Sequence, residues 1–557
     1  MNRIYLIAFF IIITCNLYAQ EFHWAMNGLT EVGAKTGHGQ VVAADSEGNH
    51  IFVIQFEKWT QFNGVEYQAL DNSPDDWPYG KDLLIIKATP TGEILWVNHF
   101  GSLEDYLEDN ALDLVVDNND DIIICGELQS TEVYFNDEPL EEAPFQQYIM
   151  KLSSNGQLDW IRYTSAIPQA IAVDDDNNYY FTGLFRKIGI YGSDTMRGAD
   201  QGATSDMCIY KIAEESDLIW SNHAGVQAGL FSNNCKAQGV DVAVSTDGKV
   251  FVVGQFDSRN GSIHELILGD LSLTAGEDEL MGFIAGLSEN GAFTRADGGL
   301  ASVREIEKDA DDNLILAGNY IYTLHNDFVH IEEDDYASRE YVFKISPQYD
   351  SLWFLKSWSD LSILKDMVID EDSDLYICSK FKENLNLPDT ILSTSGDAMT
   401  IFKVGNEGTL KWAAKVPGLT QRFSGISCGP AHNVGYTGAF NQTVAFGEHE
   451  LSDGNGGSRY FLSLMEPPDS SPFGLDEAVA DRSTIELWPN PSSGSFSTKL
   501  PPDAKIRLVN AMGTSVPFHS MQKNDVTTIR LEHAKSGMYY LVVQADDFTG
   551  SAKVLVW

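Results

Sequence analysis

The sequence predicts an all-β protein built from a repeated unit, and three observations carry that prediction. A short apolar strand ending near Gly-x-aromatic recurs seven times along the 557-residue chain. A strand–turn–strand phrase that ends in Trp follows most of these copies. The last unit lacks its Trp strand, and a stretch resembling that strand stands before the first unit. Such internal similarity indicates a repeat architecture.

The first phrase is rich in β-branched and aromatic residues, which favours a buried strand. A shorter strand with an acidic turn precedes most copies, as in 171–178, and turn residues between two β-rich runs indicate a hairpin. The seven copies are Ile51–Phe56, Ile122–Leu128, Tyr179–Phe185, Val250–Phe256, Leu314–Tyr320, Leu375–Phe381 and Val434–Phe440.

Each unit offers four strands in about 60 residues, which is the size of a propeller blade with a loop insertion. The second phrase ends at Trp96, Trp160, Trp220, Trp353 and Trp412, with Phe293 in the fourth unit. The seventh unit stops at 459–465, before a proline-rich linker. Residues 22–28 include Trp24 and resemble the strand around Trp96, so we expect them to supply the missing strand.

The predicted architecture is a seven-bladed β-propeller closed by the N-terminal strand, followed by a small C-terminal β-sandwich. Pairing both ends of the propeller in one sheet removes an exposed edge. We expect the repeated Trp side chains to pack between neighbouring blades, where each buries a large area. The predicted segments are a signal peptide at 1–19, the propeller at 20–467, a linker at 468–484 and a C-terminal domain at 485–557.

The repeats also carry a family resemblance. The region resembles secreted bacterial β-propeller repeat proteins, whose units carry D-x-x-G-N-x-Y-x-x-G followed by I-x-K-L and G-x-L-x-W. This resemblance implies architecture and leaves function open, because propellers host many unrelated activities.

The N-terminus is typical of a secretory signal peptide. Arg3 precedes an apolar run at 4–13, and Ala19 is a small residue before the expected cleavage site. The run is too short to cross a bilayer comfortably, and no other segment is long and apolar enough. We therefore expect an exported protein whose mature chain has no transmembrane segment.

The chain is strongly acidic, with a formal net charge of −45. Residues 20–475 carry 72 acidic and 27 basic residues, whereas 476–557 carry 9 and 8. Binding to nucleic-acid phosphates needs a basic face, so we exclude a nucleic-acid partner. The contrast in charge indicates that the C-terminal segment is a separate unit.

That C-terminal segment combines P-N-P-x-x-G, a central strand ending near glycine, S-G-M-Y-Y-x-V and a final Lys-containing strand. It resembles the type A C-terminal sorting domain of the type IX secretion system of Bacteroidetes. The resemblance implies delivery across the outer membrane by the type IX machinery, then release or surface attachment. A generic β-sandwich adhesion module is the alternative. The matching positions are Pro489, Asn490, Pro491, Gly494, Gly513, Gly537, Tyr539 and Lys553.

Four hairpin turns carry acids or amides at alternate positions, a spacing that begins many calcium loops. Asp and Asn are also the natural residues of tight turns, so calcium stays an alternative and we assign no metal ligand. The four sets are Asp117/Asn119/Asp121, Asp174/Asp176/Asn178, Asp309/Asp311/Asn313 and Asp370/Asp372/Asp374.

Two other motifs look chemical. Gly425–Gly429 matches G-x-S-x-G, but a nucleophile elbow needs a strand turning into a helix, and this segment aligns with the first strand of a unit. His99 and His223 fall in repeated phrases of different units, so we do not expect them to share a metal. We assign no catalytic and no cofactor-binding residue.

The sequence thus predicts a secreted or cell-surface protein, more a binding protein than an enzyme, with an extracellular glycan or protein as ligand. The alternative is a secreted glycan-active hydrolase. That alternative requires carboxylates from different blades to converge near the propeller mouth with perturbed pKa values.

Overall fold

The computed structural model has two compact units, residues 1–472 and 473–557. The predicted signal peptide and linker lie outside the described residues. The described residues are 21–466, except 31–37, 71–79, 104–107, 199–204, 228–235, 258–263, 277–279, 321–322, 327, 329, 333–337, 360, 389, 417–423 and 453–457, and 487–556, except 489–491, 493, 501–504, 511–515, 524–525, 532–536 and 546–547.

Two short strands precede the repeats, and the repeats follow a common plan of four strands with an inserted hairpin. These two strands are β1 (Glu21–Met26) and β2 (Leu29–Thr30). Unit 1 has β3 (His38–Ala44), β4 (His50–Glu57), β5 (Trp59–Phe62), β6 (Val65–Gln68), β7 (Lys81–Ala88) and β8 (Ile94–Ser102). Unit 2 has β9 (Asn110–Val116), β10 (Ile122–Glu127), β11 (Val133–Phe135), β12 (Glu138–Pro139), β13 (Gln147–Leu152) and β14 (Leu158–Thr164). Unit 3 has β15 (Ile167–Val173), β16 (Tyr179–Phe185), β17 (Ile188–Tyr191), β18 (Asp194–Arg197), β19 (Asp206–Ile212) and β20 (Leu218–Gln227).

The remaining units repeat the plan. Unit 4 has β21 (Ala237–Val244), β22 (Val250–Asp257), β23 (His264–Leu268), β24 (Leu271–Ala275), β25 (Leu280–Leu287) and β26 (Phe293–Gly298). Unit 5 has β27 (Ser302–Lys308), β28 (Leu314–Tyr320), β29 (Thr323–His325), β30 (His330–Glu332), β31 (Ser338–Ile345) and β32 (Ser351–Ser359). Unit 6 has β33 (Ser362–Ile369), β34 (Leu375–Leu387), β35 (Thr390–Val404) and β36 (Leu410–Val416). Unit 7 has β37 (Gly425–Cys428), a short 3-10 helix (Pro430–His432), β38 (Val434–Asn441), β39 (Thr443–Phe446), β40 (His449–Ser452) and β41 (Ser458–Glu466).

Every sheet in these units is antiparallel, and unit 7 takes its fourth strand from the N-terminal end. The order in that sheet is β1-β41-β38-β37. Trp24 lies opposite Leu464, and Phe22 lies opposite Met465. Residues 21–26, which fall largely within the predicted segment 22–28, therefore pair with the last strand of unit 7.

The inserted hairpins join neighbouring units, which the sequence did not reveal. The β11–β12 hairpin of unit 2 adds to β8 of unit 1, and β17–β18 of unit 3 adds to β14 of unit 2. The β23–β24 hairpin adds to β20 in the same way. In unit 6 the hairpin is an extension of β34 and β35, and it meets β32 through the Trp358–Asn386 pair. Segments that read as loops in the sequence thus extend the sheet of the preceding unit.

The first strands of successive units are neighbours. The strand β3 lies beside β9, and the series continues through β15, β21, β27 and β33 to β37. The last of these, β37, lies beside β3 again, so the order of neighbours returns to its start.

The repeated Trp residues lie between units, as predicted. The indole nitrogen of Trp24 donates to the carbonyl of Pro90 in the next unit at 3.1 Å. The ring packs on Gly92, whose φ is +83° and where an added Cβ would lie 2.9 Å from the indole. Equivalent hydrogen bonds run from Trp96 to Ser154, Trp160 to Glu214, Trp220 to Glu289 and Trp353 to Asn406, at 2.8–3.2 Å.

The C-terminal unit has two three-stranded sheets around its own apolar core. Their orders are β42-β45-β44 and β43-β46-β47. Phe496, Leu508, Ile529 and Leu541 are buried in that core. The six strands are β42 (Ser495–Lys499), β43 (Lys505–Asn510), β44 (Phe518–Lys523), β45 (Val526–Leu531), β46 (Gly537–Ala545) and β47 (Phe548–Val556).

Candidate functional site

Five carboxylates lie on the first strands of four units, and we call them the first-strand acids. Each first strand from β3 to β33 contains a bulge, in which one residue has no partner on the second strand. In four units an acid follows the bulged residue directly. The first-strand acids are Asp113, Asp241, Glu305, Glu307 and Asp366.

Three of these acids bind main-chain NH groups of two units. Asp241 accepts from its own neighbour Val242 and from Ile306 on the next first strand, both at 2.7 Å. The same pair of bonds joins Asp113 to Leu114 and Ile171, and Asp366 to Met367 and Ile426, at 2.7–2.8 Å. Both carboxylate oxygens are thereby used, and each aspartate links its unit to the next one.

The first-strand acids converge closely enough to affect one another. Burial raises the pKa of Asp241 to about 7, and the charges of Asp113 and Asp366 add to the effect. Burial likewise raises the pKa of Asp113 to about 6, of Asp366 to about 7 and of Glu307 to about 8. Charges from Asp241 and Asp366 also reach Glu305 and Glu307. Acids from units 2, 4, 5 and 6 therefore share one electrostatic environment.

Two of the bulged residues are cationic, and they lie on neighbouring first strands of units 5 and 6. The bulged residues of β27 and β33 are Arg304 and Lys365, and these two strands are neighbours. Arg304 donates to the side-chain oxygen of Asn319 at 3.1 Å. Lys380, on the second strand of unit 6, forms an ion pair with Asp397 at 2.7 Å.

The acidic hairpin turns have a different arrangement, in which a lysine occupies the position that a cation would take. Lys151 Nζ lies 3.0 Å from both Asp121 and Glu214 and 3.4 Å from Asp117. Lysines also pair with the first acid of the other turns, as Lys211 with Asp174, Lys344 with Asp309 and Lys403 with Asp370, at 2.5–3.2 Å. These acids also accept NH groups of their own turn, at 2.8–3.1 Å.

We expect Lys151→Met to unmask a calcium site. Loss of the ammonium leaves Asp117, Asp121 and Glu214 without their counter-charge, which should destabilise the protein by about 3–5 kcal/mol in urea unfolding. Calcium should then raise the melting temperature of the variant but not of the wild type, because oxygen ligands suit a hard cation. The control is Lys249→Met, which removes an exposed pair with Asp247. If calcium raises the melting temperature of Lys151→Met no more than that of Lys249→Met, this interpretation is wrong.

The serine of the G-x-S-x-G match forms part of the contact between units 7 and 1. Ser427 Oγ lies 2.8 Å from His50 Nδ1, and His50 Nε2 lies 2.9 Å from Asn433 Oδ1. Ser427 and His50 are buried, and burial lowers the pKa of His50 to about 4. This buried cluster joins units 7 and 1.

The histidines of the repeated phrases have separate surroundings. His99 is buried, and its Nε2 lies 2.7 Å from Asp82 in unit 1. His223 packs edge-on against Phe185 in unit 3. The structure therefore does not bring the two rings together.

The predicted sorting positions fall in the C-terminal unit, where some are described. Gly494 has a φ of +92°, Gly537 begins β46, and the Tyr539 side chain is buried in the core. Lys553 lies on β47 opposite Tyr540. Pro489, Asn490, Pro491 and Gly513 lie outside the described residues.

Sequence reasoning missed the first-strand acids. When the repeats are aligned, the available signal is a single position. It lies four residues before the first residue of the hairpin turn, and four units carry an acid there. This position could not be interpreted from the sequence, because a bulge shifts the alternation of side chains between the two faces of a strand. Without knowing where the bulge lies, one cannot tell which side chains of neighbouring first strands face one another.

Comparisons with known proteins give one family match and several distant likenesses. Residues 486–557 match the secretion system C-terminal sorting domain. An uncharacterized WD repeat-containing protein of Acanthamoeba polyphaga mimivirus is 24% identical over 200 residues, which are 32% of this chain and 14% of that protein. The chain thus spans about one seventh of that relative.

Two solved structures have a distant likeness to this chain. A protein of unknown function from Dyadobacter fermentans is 8% identical, with a TM-score of 0.35, over 80% of this chain and 99% of that one. A europium-containing methanol dehydrogenase is 9% identical, with a TM-score of 0.31, over 80% and 93% of the two chains.

The family match agrees with the resemblance read from the sequence. Among the described residues, no helix has the length and apolar character needed to cross a bilayer. The chain ends in a type IX secretion system C-terminal sorting domain, and the protein is therefore secreted or located at the cell surface.

Proposed function

We propose that residues 20–467 form a seven-bladed β-propeller, closed by β1, that acts as a non-catalytic binding protein outside the cell. The seven repeat units, the circular order of their first strands and the β1–β41 pairing support this architecture. Mixing the two ends of the chain in one sheet leaves no open edge between the first and last units.

The use of the first-strand acids carries the choice of binding over catalysis. Asp113, Asp241 and Asp366 each place both oxygens on main-chain NH groups of two neighbouring strands. A catalytic carboxylate needs an oxygen free to reach the substrate. These three aspartates therefore serve to hold the units together, and a ligand would be bound by other side chains.

The test is a screen of the exported protein, purified from its own host, against arrays of glycans and extracellular proteins. We expect saturable binding of at least one ligand without its chemical conversion. A ligand recovered in altered form would overturn the non-catalytic assignment, and binding to no glycan or protein would overturn the binding role.

In this proposal, transport of the protein out of the cell envelope depends on the sorting domain. Deletion of 485–557 should retain the protein inside the cell envelope, since the type IX machinery would no longer recognise it. Immunoblots of medium, cell surface and periplasm measure the distribution, with the full chain as control. Unchanged release of the deletion variant would refute this role.

A glycan-active hydrolase is the second candidate, and Glu305 and Glu307 favour it. Burial raises the pKa of Glu307 to about 8 and that of Glu305 well above its usual range, as a general acid requires. Under this alternative, Glu307→Gln and Glu305→Gln would each lower glycan hydrolysis by at least about a hundredfold. Hydrolysis that persists in both variants would exclude these acids.

A further inference from the structure

We infer that the inserted hairpin of unit 5 binds a divalent transition-metal ion, with Zn²⁺ as the expected ion, through His325, His330 and Glu332. The two histidines are partners in the β29–β30 register, and Glu332 lies two residues beyond His330 on the same strand. The inference goes beyond the proposed binding of a glycan or protein, and its test does not depend on that function.

The hairpin of unit 5 departs from the plan of the other inserts. The hairpins β11–β12, β17–β18 and β23–β24 each join the outer strand of the preceding unit. Within the described residues, β29 and β30 instead form a sheet of only two strands. The hairpin is thus held by the packing of one of its faces and not by pairing with unit 4.

That packing identifies the inner face of the hairpin. Leu324 is fully buried in the apolar cluster of units 4 and 5, and its register partner Ile331 packs against the same cluster. Phe328, in the turn, stacks on Phe343 of β31 with ring centroids 5.7 Å apart. These three contacts anchor the hairpin to the rest of unit 5, so the residues of its other face have fixed positions on a rigid support.

The candidate ligands lie on the other face. Successive residues of a strand alternate between its two faces, so the face opposite to the packed one holds Thr323, His325, His330 and Glu332. Residues directly opposite each other across two antiparallel strands have Cβ atoms about 4.5–5.5 Å apart, and diagonal neighbours are about 7–8 Å apart. His325 and His330 are a direct pair, and Glu332 is the diagonal neighbour of His325. The three residues are therefore close enough to share one ion.

The chemistry of these residues suits a transition metal. Imidazole is a ligand of Zn²⁺ and its neighbours in the first transition row, and two histidines with one glutamate form a known type of Zn²⁺ ligand set. Three protein ligands leave a fourth tetrahedral position for water. Without a metal ion, protonation of both histidines would place like charges opposite each other, which destabilises a strand pair. Metal binding requires the neutral imidazoles and so removes that repulsion.

The pairing of two histidines distinguishes this hairpin from the others. The chain has 12 histidines, and among the strand registers of the described residues two of them oppose each other only here. In the hairpin of unit 4, His264 lies opposite Ala275, and in that of unit 7, His449 lies opposite Phe446. The hairpin of unit 4 therefore offers a matched control with a single histidine.

The experiment is calorimetric titration of the full mature chain, purified from its own host and freed of metal by chelation, with ZnCl₂ and with MgCl₂ at neutral pH. We expect saturable binding of Zn²⁺ and none of Mg²⁺ at this hairpin, because Mg²⁺ prefers oxygen ligands. His325→Gln and His330→Gln should each weaken Zn²⁺ binding at least about tenfold, since even the loss of a group that supports a ligand costs about 10–100-fold. Glu332→Gln should weaken it less, and His264→Gln should leave it unchanged.

Co²⁺ gives a second measurement at the same site. A tetrahedral site with imidazole ligands should give Co²⁺ a visible absorption band, and this band should be lost in His330→Gln and kept in His264→Gln. Circular dichroism checks that each variant is folded.

Two results would overturn the inference. One is the absence of saturable Zn²⁺ binding by the wild type, and the other is equal Zn²⁺ affinity in the wild type and His330→Gln. Neither result bears on the array screen, which is carried out on the metal-free chain as well, so the proposed binding role is judged separately.

Discussion

Replacement of Trp24 by alanine is expected to destabilise the repeat region by about 3–5 kcal/mol, the range for removing a large buried aromatic side chain. The Trp24 side chain is buried in β1, donates a hydrogen bond to Pro90 and meets Phe52 edge-on at 6.0 Å. Its loss leaves a cavity where β1, from the N-terminal end, pairs with β41 of the last unit. A lowered midpoint of urea unfolding of the full chain measures the effect.

The matched control is Leu95→Ala. Leu95 lies next to an equivalent Trp on β8 and is 47% exposed, so its truncation should change stability by no more than about 0.5 kcal/mol. If Trp24→Ala and Leu95→Ala shift the midpoint equally, β1 does not stabilise the last unit as described.

The packing of Trp24 on Gly92 can also be tested by substitution of the glycine. Gly92 and Gly64 have φ values of +83° and +79°, so alanine is strained equally at both. An added Cβ at Gly92 would lie 2.9 Å from the Trp24 ring, whereas a Cβ added at Gly64 would have no atom of the described residues within 4 Å. The excess destabilisation of Gly92→Ala over Gly64→Ala therefore reports the packing of Trp24 between units.

The local pattern of apolar residues and Trp in the sequence was sufficient to predict the strands and the pairing of the N-terminal strand with the last repeat. The seven apolar runs became second strands because β-branched and aromatic side chains pack well on a buried sheet, and the missing Trp strand could be located by its resemblance to residues around Trp96. The hairpin insertions could not be placed, because pairing of β11 with β8 depends on contacts between units that no local pattern encodes.

The candidate site was harder to predict than the fold. The acids that were conspicuous in the sequence, such as Asp117 and Asp121, are neutralised by Lys151. The acids that converge, such as Asp241 and Asp366, are isolated acidic residues in strands that carry no recognisable motif. Their proximity depends on bulges and on the circular order of the first strands, which are properties of the assembled units.

The convergence of the first-strand acids should make the protein most stable at mildly acidic pH. A carboxyl group whose pKa is raised by folding binds its proton more tightly in the folded state. Stability is then full below the unfolded pKa, near 4, and falls as the pH rises through the folded pKa. With folded values of about 6 for Asp113, 7 for Asp241 and Asp366 and 8 for Glu307, the loss accumulates between pH 4 and 8. His50 acts in the opposite direction between pH 4 and 6.5, but it is one group against several.

We therefore expect the melting temperature to fall by roughly 5 °C between pH 5 and pH 8, measured by scanning calorimetry. Glu307→Gln should flatten the upper part of this curve, because it removes a group whose folded pKa is about 8 without changing side-chain size. Asp247→Asn is the control for a general reduction of negative charge, since its hydrogen bonds to Lys249 and Ser245 lower the pKa of Asp247 and confine its effect to more acidic pH. A curve that rises toward pH 8, or a Glu307→Gln curve parallel to the wild type, would show that the fold does not raise the pKa values of the first-strand acids.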